Sequence, residues 1–583
     1  MSYKNKAWQL LAPDEDLARE LSNNLRISPI LAKSLINRGV RNLEEAKDFL
    51  GSPLESLLNP FLLKDINKAV RRIKEAIKKQ ELILVFGDHD VDGLCSLALM
   101  QRLLGQLKAK VTHFVGEGDV YSLTEEAIQR AKEEGVRLII SVDCGIGSAE
   151  EIALASSLEI DTIVIDHHEP GEELPKAYAI VDPKQKDCSY PFKDLAGVGV
   201  AFKVGQALIA TYEEEFKEER IELNTLRMKY YFSQYLDLVA LGTISDMVPL
   251  LGENRILVKH GLKALGESQK VGIKVILNAL KPKEIGPDLV SWKIAPLLNA
   301  AGRMNKASLA AELLITKKAG EAKRLYKQLF AINEERKVHV QENLSHLLEL
   351  IEEETDLEKE KIIVVASSRY GRSITGLLAT RIAKQYHRPA IVLATKEEEA
   401  NGSARSVEEF DLLEAFNLAR ELLDSFGGHK KAAGLRIDSK AIPLFRLRIN
   451  EIAASLLEKK EKAKTVVGQQ VRIEDLSFDL VKEIESLAPF GMDNSYPLFL
   501  LKELKSFGAR RIGRDQSHLK TKLGRDGLLF DAIGWQIGAL AKELVSAKGL
   551  DLVCKLEINE YNGSRSLRLN IEDISLEDQS MMI

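Results

Sequence analysis

From residue 81 the chain alternates short apolar runs with amphipathic stretches: ELILVFG, a helix over 93–107, VTHFVG, a helix over 123–134, RLIISVD, a helix over 148–158 and DTIVID. Apolar runs without strict alternation suit strands covered on both faces, and their interleaving with helices suits parallel strands joined by crossovers. The pattern predicts a doubly wound α/β domain over 79–304. Ahead of it, residues 1–78 place apolar side chains such as Ala69, Val70, Ile73 and Ile77 at helical spacing, punctuated by Pro13, Pro29, Pro53 and Pro60. They predict a helical segment that packs on the α/β domain. Residues 305–355 carry a helical period from Ala307 to Leu347 and end in the charged run IEEETDLEKEK, so they predict connecting helices and a domain border. A second α/β unit follows over 356–462, with KIIVVASS, a helix near 374–386, RPAIVLAT and the glycine-rich stretch FGGHKKAAGL, and it closes at the linker LEKKEKAKTVVG. Over 465–583 the runs YPLFLL, LLFDAIGW, DLVCKLEINEYNG and RSLRLNIEDI predict a small β-barrel interrupted by one or two helices.

A length of 583 residues with 45% hydrophobic composition gives room for several cores. The 82 Lys and Arg are balanced by 87 Asp and Glu, so a nucleic acid must be held by a local patch and not by the overall charge. GARRIGRDQSHLKTKLGR, residues 508–525, is such a patch, with six Lys or Arg against one Asp. Phe499, Phe507, Phe530 and Trp535 flank it, and basic grooves with aromatic platforms are how small barrels hold single strands. A charged hairpin with core aromatics fits the same residues. Four cysteines without a C-x-x-C pair exclude a zinc ribbon and a disulfide framework, leaving free thiols. The first twenty residues lack a leader-like apolar core, and no apolar run reaches the length of a membrane span, so the expected location is the cytoplasm, with no membrane partner.

The chemistry lies at predicted strand ends. GDHDVDG follows the first strand and sets Asp88, Asp90 and Asp92 two residues apart in the turn before a helix. Asp143 follows LIISV, and Asp166, His167 and His168 follow TIVI. Open parallel sheets bind ligands at these carboxyl ends. Asp246 stands alone in the apolar ALGTISDMVPL, where an acid is costly unless it binds a cation or accepts good hydrogen bonds, and Asp237 competes weakly for that role. A single acid after a strand is usually a cap or turn residue. Together, five carboxylates and an imidazole form a hard ligand set suited to Mn²⁺ or Mg²⁺, and they exceed the needs of one ion. Two ions would suit phosphoryl transfer.

GDHDVDG, SVDCG, IDHH and GTISDMVPL match, in order, the four motifs of the DHH phosphoesterase superfamily, which this sequence resembles. LINRGVRNLEEAKDFL, LAGVGVAFKV, LLNAAGRM, GSARS, GGHKKAAG and LAPFGMDNSYPLF extend the resemblance along nearly the whole chain to the superfamily's single-strand-specific exonucleases. It implies a DHH domain, a DHH-associated domain and a C-terminal OB-fold that binds DNA. It implies two ions held by Asp88, Asp90, Asp92, Asp143, His167 and Asp246, with Asp143 as the bridge, His168 facing the scissile phosphate and Asp166 orienting the histidines. The implied activity is ATP-independent release of 5′-mononucleotides from the 5′ end of single-stranded DNA, in repair and recombination. Arg303, Ser403, Arg405, Gly427, Gly428 and His429 resemble the superfamily's grip on DNA phosphates, and Arg510, Arg511 and Lys520 are the implied contacts of the barrel. The implied partners are single-stranded DNA, a RecQ-type helicase and a single-strand-binding protein, with the chain acting as a monomer.

The match departs from the pattern in three places. His89 stands where an aromatic residue is usual and reads as a tolerated neighbour; FVGEGDVYSL lacks an arginine; SSRYGRSITG puts Gly371 where a histidine is expected, with Arg369 or Arg372 as substitutes. Two other functions compete: a DHH phosphodiesterase for oligoribonucleotides or cyclic dinucleotides, which would not need residues 465–583, and a non-catalytic single-strand-binding replication scaffold, which would not need every acid.

Overall fold

A computed structural model of the chain describes residues 3, 6–116, 122–218, 226–407, 410–458, 464–561 and 563–577. These divide into two compact units. The FVGEGDVYSL departure and the LEKKEKAKTVVG linker fall partly outside the described residues.

The larger unit, residues 59–248 and 260–461, holds two sheets. In the first, β1 (Leu82–Gly87), β2 (Lys110–Val115), β3 (Val136–Val142), β4 (Asp161–Ile165) and β5 (Ala179–Val181) run parallel in the order β2-β1-β3-β4-β5. Residues Ile83 to Phe86 and Leu138 to Ile140 are buried on both faces, as their unbroken apolar runs require. The order reverses between β1 and β3, and that crevice is where an open sheet of this kind binds its ligand. Helix α1 (Val91–Gln106) follows β1 and is buried along most of its length. Helices α2 (Gly197–Glu218) and α3 (Leu226–Ser245) pack on it.

Beyond α4 (Ala295–Arg303) and a helix at Ala307–Ile315, the 36-residue helix α5 (Ala319–Glu354) leads to the second sheet, as the helical period over 305–355 suggests. There β6 (Ile363–Ser367), β7 (Ala390–Lys396), β8 (Glu399–Arg405), β9 (Ser425–His429) and β10 (Ala432–Asp438) lie in the order β9-β10-β8-β7-β6, with α6 (Arg372–Tyr386) between β6 and β7. Only the β6–β7 pair is parallel. FGGHKKAAGL is therefore a strand hairpin; Gly428 has φ +130°, and a Cβ there would lie 2.5 Å from the Ala432 carbonyl.

The smaller unit joins residues 1–58 and 249–259 to 462–583. Its strands β11 (Gln469–Gln470), β12 (Phe499–Ile512), β13 (His518–Arg525), β14 (Leu528–Gly534), β15 (Leu550–Tyr561) and β16 (Ser564–Leu576) follow the order β11-β12-β13-β14-β16-β15. A β12–β15 pairing closes the last five into a barrel around Leu504, Leu519, Leu523, Leu552, Leu556 and Leu569. The expected 1–78 module is divided. Strand Ala7–Leu10 pairs with Lys464–Val467, and the helices Glu15–Leu25, Pro29–Ile36 and Leu43–Gly51 belong to the barrel's unit, tied by Asn37 Nδ2 to the Gly468 carbonyl (2.9 Å) and Gln469 Nε2 to the Ile30 carbonyl (2.8 Å). The helix Ile66–Lys79 alone of these packs beside the parallel sheet. Residues 1–58 thus group with the barrel, and residues 59–78 with the parallel sheet. All four cysteines are buried and unbridged. Among the described residues, no helix is long and apolar enough to cross a membrane.

Candidate active site

The turn after β1 is built by helix capping. Asp90 caps α1, its Oδ1 accepting from the amides of Asp92 (2.9 Å) and Gly93 (3.1 Å), and Asn299 Oδ1 accepts from Val91 N (3.0 Å). Asp92 in turn takes the first amides of α2, Gly197 N at 2.6 Å and Val198 N at 3.0 Å. The glycines of LAGVGV and GTISD make room for this: a Cβ at Gly197 would lie 2.3 Å from Asp143 Oδ1, and one at Gly242 2.5 Å from Asp92 Oδ1. After β3, Asp143 turns with φ +61°, which directs its buried carboxylate into the crevice. Asp246 arrives from the residue after α3.

These segments converge. Asp88, Asp90 and Asp143 bring carboxylate oxygens within 4.8 Å of one another, and carboxylate oxygens and imidazole nitrogens converge as closely in Asp92, His167 and Asp246 and in Asp143, His167 and His168. His167 Nε2 lies 3.2 Å from Asp143 Oδ1 and 3.7 Å from Asp246 Oδ2. Asp143 Oδ1 and His167 Nε2 are both buried without a hydrogen-bond partner. Two facing lone-pair atoms left unsatisfied at that distance fit a cation between them, and the oxygen-rich set suits Mn²⁺ or Mg²⁺.

Asp166, fully buried, receives the amides of Ile146 (2.9 Å), His167 (2.8 Å) and His168 (3.2 Å) and holds His168 Nδ1 at 2.7 Å. It thereby orients the His168 ring, whose side chain is half exposed, and fixes the His167 peptide. Burial opposes charge on His168, but the hydrogen bond to Asp166 and that carboxylate's field prevail and raise its pKa to about 9. His167 is shifted the other way, chiefly by burial. Burial followed by the charge of Asp88 pushes Asp90 up to about 6, and burial with neighbouring carboxylates raises Asp92 and Asp143 well above the ordinary range.

Acids whose pKa rises on folding bind protons more tightly in the native state, so metal-free stability falls as pH climbs from the ordinary value near 3.8 through about 6. Bound cations remove that penalty. The expected result is a thermal shift on adding Mn²⁺ that is larger at pH 8 than at pH 5, read by scanning calorimetry of chelator-treated protein; equal shifts at both pH values would contradict it.

Asp237 is not part of this cluster. It pairs with buried Lys270 at 2.7 Å and accepts from Ser268 Oγ at 2.6 Å. Cys144 is a buried neighbour. Three participants escaped the sequence reading. His89, expected as a bystander, places Nδ1 3.0 Å from Asp88 Oδ1. Asn299 braces the first turn of α1. Asp182, fully buried at the end of β5, is raised to about 7, mainly by burial, and its Oδ2 has no hydrogen-bond partner. Its place after an apolar run is the same signal that marked Asp143.

A cavity of about 680 Å³ in the larger unit is lined by Arg303, Arg372, Ser403, Arg405, Gly427, Gly428 and Arg436, among others. Ser403 Oγ is fixed by Thr375 Oγ1 at 2.9 Å. His429 ends β9, exposed, and is not among the lining residues; of the two arginines expected to stand in for the missing histidine, Arg372 lines the cavity, and Arg436 is an addition. On the barrel, exposed Arg510 pairs across strands with Lys520, and Phe507 with Lys522. Arg511 Nε is spent on the Gly538 carbonyl at 3.1 Å. Phe499 is core, 1% exposed, and Phe530 packs against that core, so of the four aromatics only Phe507 (47% exposed) and Trp535 (52%) can offer a face to a base.

A parallel sheet of this order, with acids from four segments and a histidine pair gathered where the order reverses, defines the DHH class. Residues 82–243 match the model described as DHH family, N-terminal domain, residues 359–455 the DHHA1 domain and residues 468–573 the RecJ OB domain. The single-stranded-DNA-specific exonuclease RecJ of Bacillus subtilis is 35% identical over 98% of this chain and 71% of its own, and that of Salmonella typhimurium 32% over 97% and 99%. The crystal structure of RecJ in complex with Mn²⁺ from Thermus thermophilus superposes with a TM-score of 0.83 at 29% identity, over 99% of this chain and 80% of that one. The chain belongs to the RecJ family.

Proposed function

We propose that the protein is a Mn²⁺- or Mg²⁺-dependent exonuclease that hydrolyses single-stranded DNA from its 5′ end to 5′-mononucleotides in repair and recombination. The observation that carries this is the convergence of Asp88, Asp90, Asp92, Asp143, His167 and Asp246, with Asp143 Oδ1 and His167 Nε2 facing each other unsatisfied. The relatives' names and the metal-bound homologous structure support the same reading.

These six side chains would hold the ions, with Asp143 central because its carboxylate belongs to two of the groupings. Bound ions supply the Lewis acidity that activates water and offsets charge on the phosphate. His168, kept protonated at neutral pH by Asp166, presents Nε2 to the phosphate as a charged hydrogen-bond donor. Arg303 and Arg405, with Ser403 and the glycine hairpin, hold phosphates in the adjoining cavity. The exposed Arg510, Lys520 and Lys522 with Phe507 and Trp535 give the barrel a charged, stacking surface for the strand. A RecQ-type helicase to supply single strands and a single-strand-binding protein are the proposed partners, in the cytoplasm.

The test compares 5′-labelled single strands, duplexes, dinucleotides and pyrophosphate with Mn²⁺ present. Labelled mononucleotide should appear first and fastest from single strands. Preference for dinucleotides would instead identify an oligonucleotide phosphodiesterase, and strand binding without turnover under any divalent ion would identify a scaffold.

A further inference from the structure

The long helix α5 carries three buried side-chain atoms without a hydrogen-bond partner, Asn333 Oδ1, Arg336 Nε and, two turns further on, Asn343 Oδ1. The first two lie one turn apart. α4, which ends at Arg303, and α6, which carries Arg381, both pack on α5. Burial, followed by the charges of Arg303 and Arg381, disfavours the charged form of Arg336. Glu334, the acid whose field reaches it, is engaged by Lys337 at 2.8 Å. Arg381 reaches Gln341 Oε1 at 3.5 Å, and Arg303 lines the arginine-rich cavity.

Packing alone gains nothing from gathering three guanidinium groups from three helices; like charges and desolvation both oppose it. An anion entering among them reverses both terms. Arginine's planar fork matches a phosphate, and a half-turn of the Asn333 amide exchanges its carbonyl for an NH₂ donor. We propose that Arg336, with Asn333 beside it, is a further contact to the DNA backbone and shares with Arg303 a phosphate of the bound strand. This rests on the single-strand reading above and adds a residue to it.

The test uses the cleavage-deficient Asp143→Asn protein, so that binding is measured without turnover. Adding Arg336→Gln should weaken single-strand binding about tenfold and flatten the dependence of log K on log salt by roughly 0.7, the share of one phosphate contact. Arg336→Lys should retain most of the slope yet bind more weakly, because the point charge stays while the bidentate fork is lost. The melting temperature should hold or rise, because a like charge has been removed; a prop for Arg303 would instead lower it. An unchanged slope overturns the proposal. Should Arg336→Gln fail to fold, a scan of single methylphosphonate linkages decides. The proposal requires one linkage whose neutralisation costs the Asp143→Asn protein more than its Arg336→Lys derivative, and equal costs at every linkage overturn it. Wild-type cleavage of single strands alongside an unmoved slope removes this contact and leaves the exonuclease reading intact, whereas a wild-type chain that binds no strand removes both.

Discussion

Asp143→Asn is expected to lower the turnover of single-stranded DNA by at least about 10³-fold while leaving the fold and the affinity for the strand largely unchanged. Asp143 occupies the left-handed region at φ +61°, which asparagine adopts more readily than alanine, so backbone strain is kept out of the comparison. The amide keeps the shape and removes the charge. Its backbone N–H still reaches the Ile165 carbonyl at 2.9 Å, and the pocket left by Gly197 still accommodates the side chain. One of the crowded carboxylates is gone, so metal-free stability should hold or rise, as calorimetry would show. Substantial turnover by the variant would reject Asp143 as the central ligand.

The second large effect separates a structural acid from a functional one of similar sequence setting. Asp237→Ala should cost roughly 3–5 kcal/mol, because it leaves the ammonium of Lys270 buried without its counter-charge. Both side chains are under a tenth exposed, and once the carboxylate is removed Lys270 keeps the Gln234 carbonyl and the Tyr235 ring but no counter-charge. Asp237→Ala combined with Lys270→Met should recover most of the loss, since neither charge then remains. Urea unfolding measures both. Asp246→Ala, nine residues along the same stretch, should show the opposite pattern, with catalysis lost and stability kept. A small destabilisation by Asp237→Ala would show that the pair is not buried as described.

That contrast marks how far the sequence could be read. Asp88, Asp143 and the Asp166-His167-His168 group were legible because each follows an unbroken apolar run, and parallel strands deliver such residues to one edge of the sheet. Asp237 and Asp246 lie on or just beyond one helix, and composition cannot say which of them meets a lysine more than thirty residues away. Residues 1–58 were recognisable as helices from their period, but the surface they bury is set by distant contacts such as Asn37 with Gly468. The barrel aromatics show a similar limit. Phe499 and Phe507 are an even number of residues apart and should share a face, yet one is core and the other exposed. The pairing of β12 shifts between Leu501 and Leu504, where Glu503 has φ +57°, and a bulge of this kind breaks the alternation. The glycines of FGGHKKAAGL carry no strand signal of their own, because their intrinsic preference is for turns, and pairing with β8 overrides it. Arg336 left no trace in the sequence beyond one more charge on a charged helix.

Every functional statement depends on acids from three segments and one imidazole from a fourth acting together on divalent cations. Anomalous diffraction at the manganese edge, from crystals soaked in Mn²⁺, tests this most directly. Two peaks about 3.5–4 Å apart are expected, both within ligand distance of Asp143, with Asp88, Asp90, Asp92, His167 and Asp246 completing their shells. No manganese at that position, or manganese bound elsewhere while single strands are still degraded, would contradict the account.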